Sequence, residues 1–82
     1  MKNDFTRAIG LELADIRRSK DISIIKVAED TDINKDTICK YENNNSSMKI
    51  YIVYKLLKYY KVDILYFFTK VYDRMQTNNN QE

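Results

Sequence analysis

The chain is 82 residues long and carries 14 lysines and arginines against 12 aspartates and glutamates, which gives a net charge of +2. It has no histidine and one cysteine, which excludes internal disulfides and argues against zinc sites and imidazole-based catalysis. No apolar run approaches the ~18 residues of a membrane span, and the N-terminus lacks the apolar core of a signal peptide. We therefore expect a single small cytoplasmic domain that is not an enzyme and uses no metal, cofactor or membrane.

The predicted fold class is all-α. Proline is absent, glycine occurs once, and apolar residues recur with a period of about 3.6 along the whole chain. The first predicted helix runs from about Asp4 to Lys20. Its inward side chains lie three or four residues apart and are Phe5, Ile9, Leu13 and Ile16.

Two short helical patterns between Ile24 and Asn43 are joined too closely to be independent helices, so they predict a helix-turn-helix. Val27 and Ala28 give the first helix its inward side, and Ile38 and Tyr41 do the same for the second. Ala28 supports this interpretation, because helices that cross at ~90 to 120° leave room only for a small side chain where they meet.

Three residues are expected to cap helices. Ser23, Asn34 and Asp63 each precede a predicted helix, and their side-chain oxygens can accept hydrogen bonds from the first free amides. These caps predict where helices 2, 3 and 5 begin.

The second half of the chain predicts two more helices after a polar loop at residues 43–47. Helix 4 is expected from about Met48 to Tyr60, with inward Ile50, Val53, Tyr54, Leu57 and Tyr60. Helix 5 is expected to continue through Met75, with Ile64, Phe67, Phe68 and Val71 on one face. Residues 77–82 are polar and predict a disordered tail, which leaves residues 1–76 as the domain.

From about Phe5 to Phe68 the chain resembles the lambda-repressor-like and Cro-like (Xre) helix-turn-helix regulators. The resemblance is carried by Ile9-Gly10, Leu13, Ile16-Arg17, Ser23, Val27-Ala28, Ile33, Thr37-Ile38, Tyr41-Glu42-Asn43, Ile50, Leu57, Val62 and Phe67-Phe68. It implies a five-helix domain that binds operator DNA, with the helix-turn-helix at helices 2 and 3.

The sequence departs from the family pattern at three positions. Ile24 stands where these domains usually have a glutamine that contacts the DNA backbone, so that contact is not expected here. Asp32 and Asn44 stand at usual glycines. Asp and Asn tolerate a left-handed backbone better than other non-glycine residues, so the turn geometry is still expected.

The second helix of the motif would enter the major groove with the side that Ile38 and Tyr41 leave free. Lys35 can donate to guanine and Asp36 can accept from a cytosine amino group, while Lys40 can reach a base or a phosphate. The resemblance implies base contacts by these three residues. It implies backbone contacts by Ser23, Lys26, Thr37, Asn43 and Asn44.

Charge gives this hypothesis limited support, because residues 23–49 contain four lysines against five acidic residues and so carry −1. The resemblance implies that Glu42 is neutralised by Arg17, in a pair that joins helix 1 to the end of helix 3. Cys39 would lie on the DNA-facing side. A redox sensor there is an open alternative to a plain replacement of serine.

Helix 5 has more apolar surface than one small domain can bury, so we expect a two-fold homodimer through Leu65, Tyr66, Phe68 and Tyr72. The predicted function is a bacterial or phage transcriptional regulator, most often a repressor, that binds a palindromic operator in double-stranded DNA. The alternative is an antitoxin or adaptor that binds a protein through the aromatic helices 4 and 5.

Overall fold

The structure is a computed structural model that describes residues 4–43 and 47–80. Over these ranges the chain forms no β-strand and five α-helices, which are α1 (Asp4–Ser19), α2 (Ile24–Thr31), α3 (Lys35–Glu42), α4 (Ile50–Tyr60) and α5 (Ile64–Asn80). The predicted all-α, five-helix fold with the helix-turn-helix at α2 and α3 is confirmed.

Left-handed residues make the sharp turns between several of these helices. Asp21, Asp32 and Lys61 have φ angles of 59°, 62° and 60°. At Asp32 the backbone amide donates to the Ala28 carbonyl at 2.9 Å, which satisfies the last turn of α2. The expected left-handed aspartate in the turn is therefore present, and α3 can start soon after α2 ends.

One hydrophobic core contains side chains from all five helices. Its fully buried members include Leu13, Val27, Ile38, Val53, Leu56, Leu57, Tyr60, Phe67 and Val71. Helix α1 packs against α3 and α5, while α2 packs against α3 and α4. The helix-turn-helix thus rests on α1 and α4, which fix the orientation of α3.

Helix α1 approaches the end of α3 most closely at Gly10. A Cβ atom at this position would collide with the carbonyl oxygen of Tyr41 and would lie 3.3 Å from that of Glu42. The glycine is therefore required by the close approach of two backbones, and not by a left-handed φ angle. This contact holds the C-terminal turn of α3 against α1.

Helix α4 buries three of the five residues that were predicted to point inward, Val53, Leu57 and Tyr60. The prediction was wrong for Ile50 and Tyr54, whose side chains are 64% and 45% exposed. Leu56, which was not predicted, completes the buried face. The helix starts two residues later than expected, at Ile50.

Both terminal helices also differ from the prediction. Phe5 was expected in the core but is 46% exposed, and its ring stacks on Phe68 with centroids 6.1 Å apart. Ile64 opens α5 and is likewise largely exposed. Helix α5 continues to Asn80, so residues 77–80 are helical where a polar tail was predicted. Neither proline nor glycine interrupts this segment.

A charged cluster that the sequence did not predict joins α5 to α1. Arg74 Nε donates to Glu12 Oε1 at 3.0 Å, and Arg74 Nη2 donates to Asp15 Oδ2. Glu12 is buried, so its carboxylate depends on this partner. The cluster joins α5 to α1 on the same helix whose Phe67 and Val71 are buried in the core.

Candidate nucleic-acid interface

Side-chain caps begin the helices that form the candidate interface. The Lys26 amide donates to Ser23 Oγ at 3.1 Å, and the Asp36 amide donates to Asn34 Oδ1 at 2.7 Å. Asp63 caps α5 in the same way. All three predicted caps are confirmed, and they remove the flexibility that an uncapped first turn would have.

The inner side of α3 is anchored in the core. Ile38 and Tyr41 are buried, and the Tyr41 hydroxyl accepts a hydrogen bond from the Lys49 amide at 2.8 Å. This bond connects α3 to the segment that leads into α4. Because α3 is held on its inner side, its outer side has a defined position and is free to contact a ligand.

The outer side of α3 carries the three residues that were predicted to contact bases. Lys35, Asp36 and Lys40 are all exposed, while Thr37 and Cys39 beside them are half-buried. Ammonium groups can donate to guanine and a carboxylate can accept from cytosine, so this side presents both halves of a major-groove contact set. Their exposure is compatible with base contact.

The residues predicted to contact the DNA backbone lie at the start of α2, within α3 and directly after it. Ser23, Lys26 and Asn43 are exposed and Thr37 is half-buried. The Asn43 side-chain amide donates to the Cys39 carbonyl at 2.9 Å, so one of its donors already caps the end of α3. Asn44 lies outside the described residues.

The Arg17 and Glu42 side chains form a two-pronged ion pair. Arg17 Nε and Nη2 donate to the two carboxylate oxygens of Glu42 at 2.7 and 3.0 Å, and Arg17 Nη1 donates to the Ile22 carbonyl at 2.8 Å. The side chains are only 12% and 5% exposed. The hydrogen bond to Glu42 raises the pKa of Arg17 above its ordinary value. The pair fixes the last turn of α3 to α1.

A second polar contact joins α2 to α4. The Tyr59 hydroxyl donates to Asp30 Oδ2 at 2.6 Å, and Lys26 Nζ lies 3.4 Å from Asp30 Oδ1. The hydrogen bond from Tyr59 lowers the pKa of the Asp30 carboxyl. Sequence reasoning missed this contact because 29 residues separate its partners and neither residue type has a pairing preference. Together with Glu42, Asp30 is an acidic residue of the motif whose charge is offset within the domain.

The predicted dimer residues on α5 have two different environments. Leu65, Tyr66 and Tyr72 are 76%, 60% and 60% exposed. Phe68 is half-buried and contacts both Phe5 and Phe67 within the domain. Phe68 therefore belongs in large part to the intradomain packing, and the exposed apolar surface of α5 consists mainly of the other three side chains.

No three His, Cys, Asp or Glu side chains within the described ranges come together as a metal-binding group. Among the same residues, no helix combines the length and apolar character that a membrane crossing needs.

Two short helices that meet at a left-handed turn, with the second one anchored inside and polar outside, define a helix-turn-helix protein. The family model described as a helix-turn-helix domain matches residues 10–73, more than three quarters of the chain. The chain belongs to this helix-turn-helix family, which indicates a DNA-binding regulator. Comparison with curated proteins and with solved structures returned no match.

Proposed function

We propose that the protein is a sequence-specific transcriptional regulator of the Xre and Cro-like type, which binds a palindromic operator as a homodimer. The observation that carries this proposal is the exposed outer side of α3, with Lys35, Asp36 and Lys40, on a helix whose inner side is anchored in the core. A rigidly held helix with free donors and an acceptor is the arrangement that major-groove recognition requires.

In this proposal α3 lies in the major groove and reads bases through the same three side chains. Lys35 donates to guanine O6 and N7, Asp36 accepts from a cytosine amino group, and Lys40 contacts a neighbouring base or phosphate. Polar residues in and around the motif hold the DNA backbone. They are Ser23, Lys26, Thr37, Asn43 and Asn44.

The homodimer would form through the exposed side chains of α5, Leu65, Tyr66 and Tyr72. A self-complementary patch gives two-fold symmetry, which places the recognition helices of the two subunits about 34 Å apart, one helical turn of DNA. A dimer would also bury apolar surface that a domain of this size leaves exposed. Bound across a promoter in the cytoplasm, it would repress transcription by occlusion.

Selection of bound duplexes from a random DNA pool tests the proposal. We expect a palindromic motif with half-site centres ~10 base pairs apart. Lys35→Ala should weaken operator binding by ~1 to 3 kcal/mol and relax base preference at one symmetric pair of positions. Asn43→Ala should weaken all sequences about equally. Lys20→Ala, an exposed lysine outside the motif, is the matched control and should change neither.

A pool from which no motif is enriched would contradict the proposal. Binding of the protein to a protein partner with no dependence on Lys35 or Lys40, and little dependence on salt, would instead support the adaptor alternative through helices α4 and α5. A Lys35→Ala variant whose affinity falls by the same factor on operator and random DNA would make Lys35 a phosphate contact.

A further inference from the structure

The net positive charge of the chain is concentrated in one short segment that contains α4. Residues 47–62 include Lys49, Lys55, Lys58 and Lys61 and no Asp or Glu, so the segment carries +4. The whole chain carries +2, and all other residues together therefore carry −2. Clustered lysines without acidic neighbours are the electrostatic footprint of a surface that binds a polyanion.

The two lysines within α4, the half-buried Lys55 and the exposed Lys58, share a helix face with two exposed tyrosines. Lys55 Nζ lies 5.7 Å from the centre of the Tyr51 ring, and Lys58 Nζ lies 5.6 Å from the centre of the Tyr54 ring. Each pair is four residues apart, so the side chains are neighbours on one face of the helix. The rings hold the ammonium groups near the surface, and the exposed tyrosines add hydroxyl donors of their own.

This surface adjoins the helix-turn-helix at both ends of α4. At its start, the Lys49 amide bonds to the Tyr41 hydroxyl of α3 at 2.8 Å. At its end, the Tyr59 hydroxyl bonds to Asp30 of α2 at 2.6 Å. Helix α4 therefore lies alongside the element that would read DNA, and two hydrogen bonds join the lysine-bearing segment to that element.

The helix-turn-helix itself has little electrostatic attraction for DNA. Residues 23–43 contain three lysines and five acidic residues and so carry −2. Specific contacts by α3 can select a sequence, but the sequence-independent part of DNA affinity comes from cations on phosphates. The chain has such cations in the segment of residues 47–62, which contains α4.

We propose that Lys55 and Lys58 on the outer face of α4, together with the exposed Lys61 that follows the helix, bind the phosphates of DNA that flanks the operator. The contact is sequence-independent and separate from the recognition helix. It rests on the proposed function for the identity of the polyanion. The two surfaces then have different roles. Helix α3 selects the site, and α4 supplies much of the salt-sensitive affinity.

The experiment compares two duplexes that carry the same selected operator. One ends at the operator, and the other extends by about one helical turn of arbitrary sequence on each side. Binding is followed by fluorescence anisotropy over a series of salt concentrations. The test variant is Lys55→Gln, Lys58→Gln and Lys61→Gln combined. The matched control removes three exposed charges elsewhere, Arg7→Gln, Lys20→Gln and Lys70→Gln.

We expect the wild type to bind the extended duplex more tightly than the short one. The affinity of the α4 variant should fall roughly tenfold on the extended duplex and little on the short one. On the extended duplex, the slope of log K against log salt should become shallower by about 0.9 for each phosphate that the variant no longer neutralises. Replacement of the same three lysines by arginine should preserve both properties. Circular dichroism shows whether every variant remains helical.

Three outcomes would overturn the proposal. The affinities of the α4 variant and the control could fall equally, the wild type could bind both duplexes equally, or the three lysines could matter only for vesicles of phosphatidylcholine and phosphatidylserine. A failure of the proposed function itself would give a different experimental result from these three. In that case the pool gives no motif, while random duplex is still bound in a salt-dependent way through Lys55, Lys58 and Lys61.

Discussion

Arg17→Met should destabilise the domain more than Glu42→Leu. Each change leaves the other residue's charge unpaired, and the two unpaired charges lie in different surroundings. Without Arg17, the Glu42 carboxylate loses both donors of the ion pair and stays at a site only 5% exposed. Without Glu42, the guanidinium keeps its 2.8 Å hydrogen bond to the Ile22 carbonyl and is somewhat more exposed. An unpaired buried charge lowers the free energy of unfolding more when fewer hydrogen bonds to that charge remain.

The expected magnitudes follow from burial. Removing one member of a buried ion pair costs ~3 to 5 kcal/mol, and we place Arg17→Met at the upper end and Glu42→Leu at the lower end. A domain of this kind has a total stability of ~5 to 15 kcal/mol, so either change removes a large fraction of it. The exposed pair of Lys26 with Asp30 is a useful comparison, because Lys26→Met should lower the stability far less than either buried change.

The double variant should recover most of the stability. Met and Leu together leave no charge unpaired, and the remaining cost is the missing donor to the Ile22 carbonyl, about 1 kcal/mol. We therefore expect the double variant within ~2 kcal/mol of the wild type, far from the sum of the single changes.

Urea unfolding followed by far-ultraviolet circular dichroism measures all four proteins. Equal dependence on urea concentration would show that the same two-state transition is compared throughout. The single variants require stabilisation by a common osmolyte if they unfold without denaturant. Additive destabilisation in the double variant would refute the reasoning, because two residues that form a buried pair cannot contribute independently.

Three further changes test other features of the fold. Gly10→Ala should destabilise, because overpacking against the rigid Tyr41 carbonyl, typically ~1 to 3 kcal/mol, exceeds the ~1 kcal/mol gain in helix propensity; a higher unfolding midpoint would contradict the close approach. Tyr60→Phe should stabilise by ~1 kcal/mol or more, since the buried Tyr60 hydroxyl has no hydrogen-bond partner within residues 4–43 and 47–80 and burial raises its pKa; a lower stability would show that a partner exists. Tyr72→Glu should give helical monomers with reduced operator affinity in sedimentation at micromolar concentration, whereas unfolding of this variant, or a monomeric wild type, would remove α5 as the dimer interface.

Local features of the fold were predictable from the sequence because they depend on residues close together in the chain. The caps at Ser23, Asn34 and Asp63 each involve an amide only two or three positions later. Helix periodicity likewise depends on neighbours three or four residues apart. For this reason the helix-turn-helix at α2 and α3 and the outer side of α3 could be placed without a structure, while the left-handed Asp32 was implied by the family resemblance.

The arrangement of the helices relative to one another was harder to predict from the sequence. A repeating apolar pattern shows that a helix is amphipathic, but it does not fix how far its first turn reaches into the core. Ile50 and Tyr54 fit the pattern of α4 and yet are exposed, because α4 packs into the domain with the face of Val53 and Leu56. The face that is buried depends on the crossing angles of neighbouring helices, which several distant contacts determine jointly.

The sequence by itself thus determined the five helices, the capped starts of α2, α3 and α5, and the polar side of α3, since each follows from short-range hydrogen bonding and periodicity. The pair of Arg17 and Glu42 was implied by the family resemblance, but tertiary structure alone decided the other contacts between residues that are distant in the chain. Arg74 meets Glu12 across 62 positions, and Tyr59 meets Asp30 across 29. Such pairs have no signature in the sequence, because an ion pair or hydrogen bond needs only two compatible groups, and packing of the helices decides which of many compatible groups become neighbours.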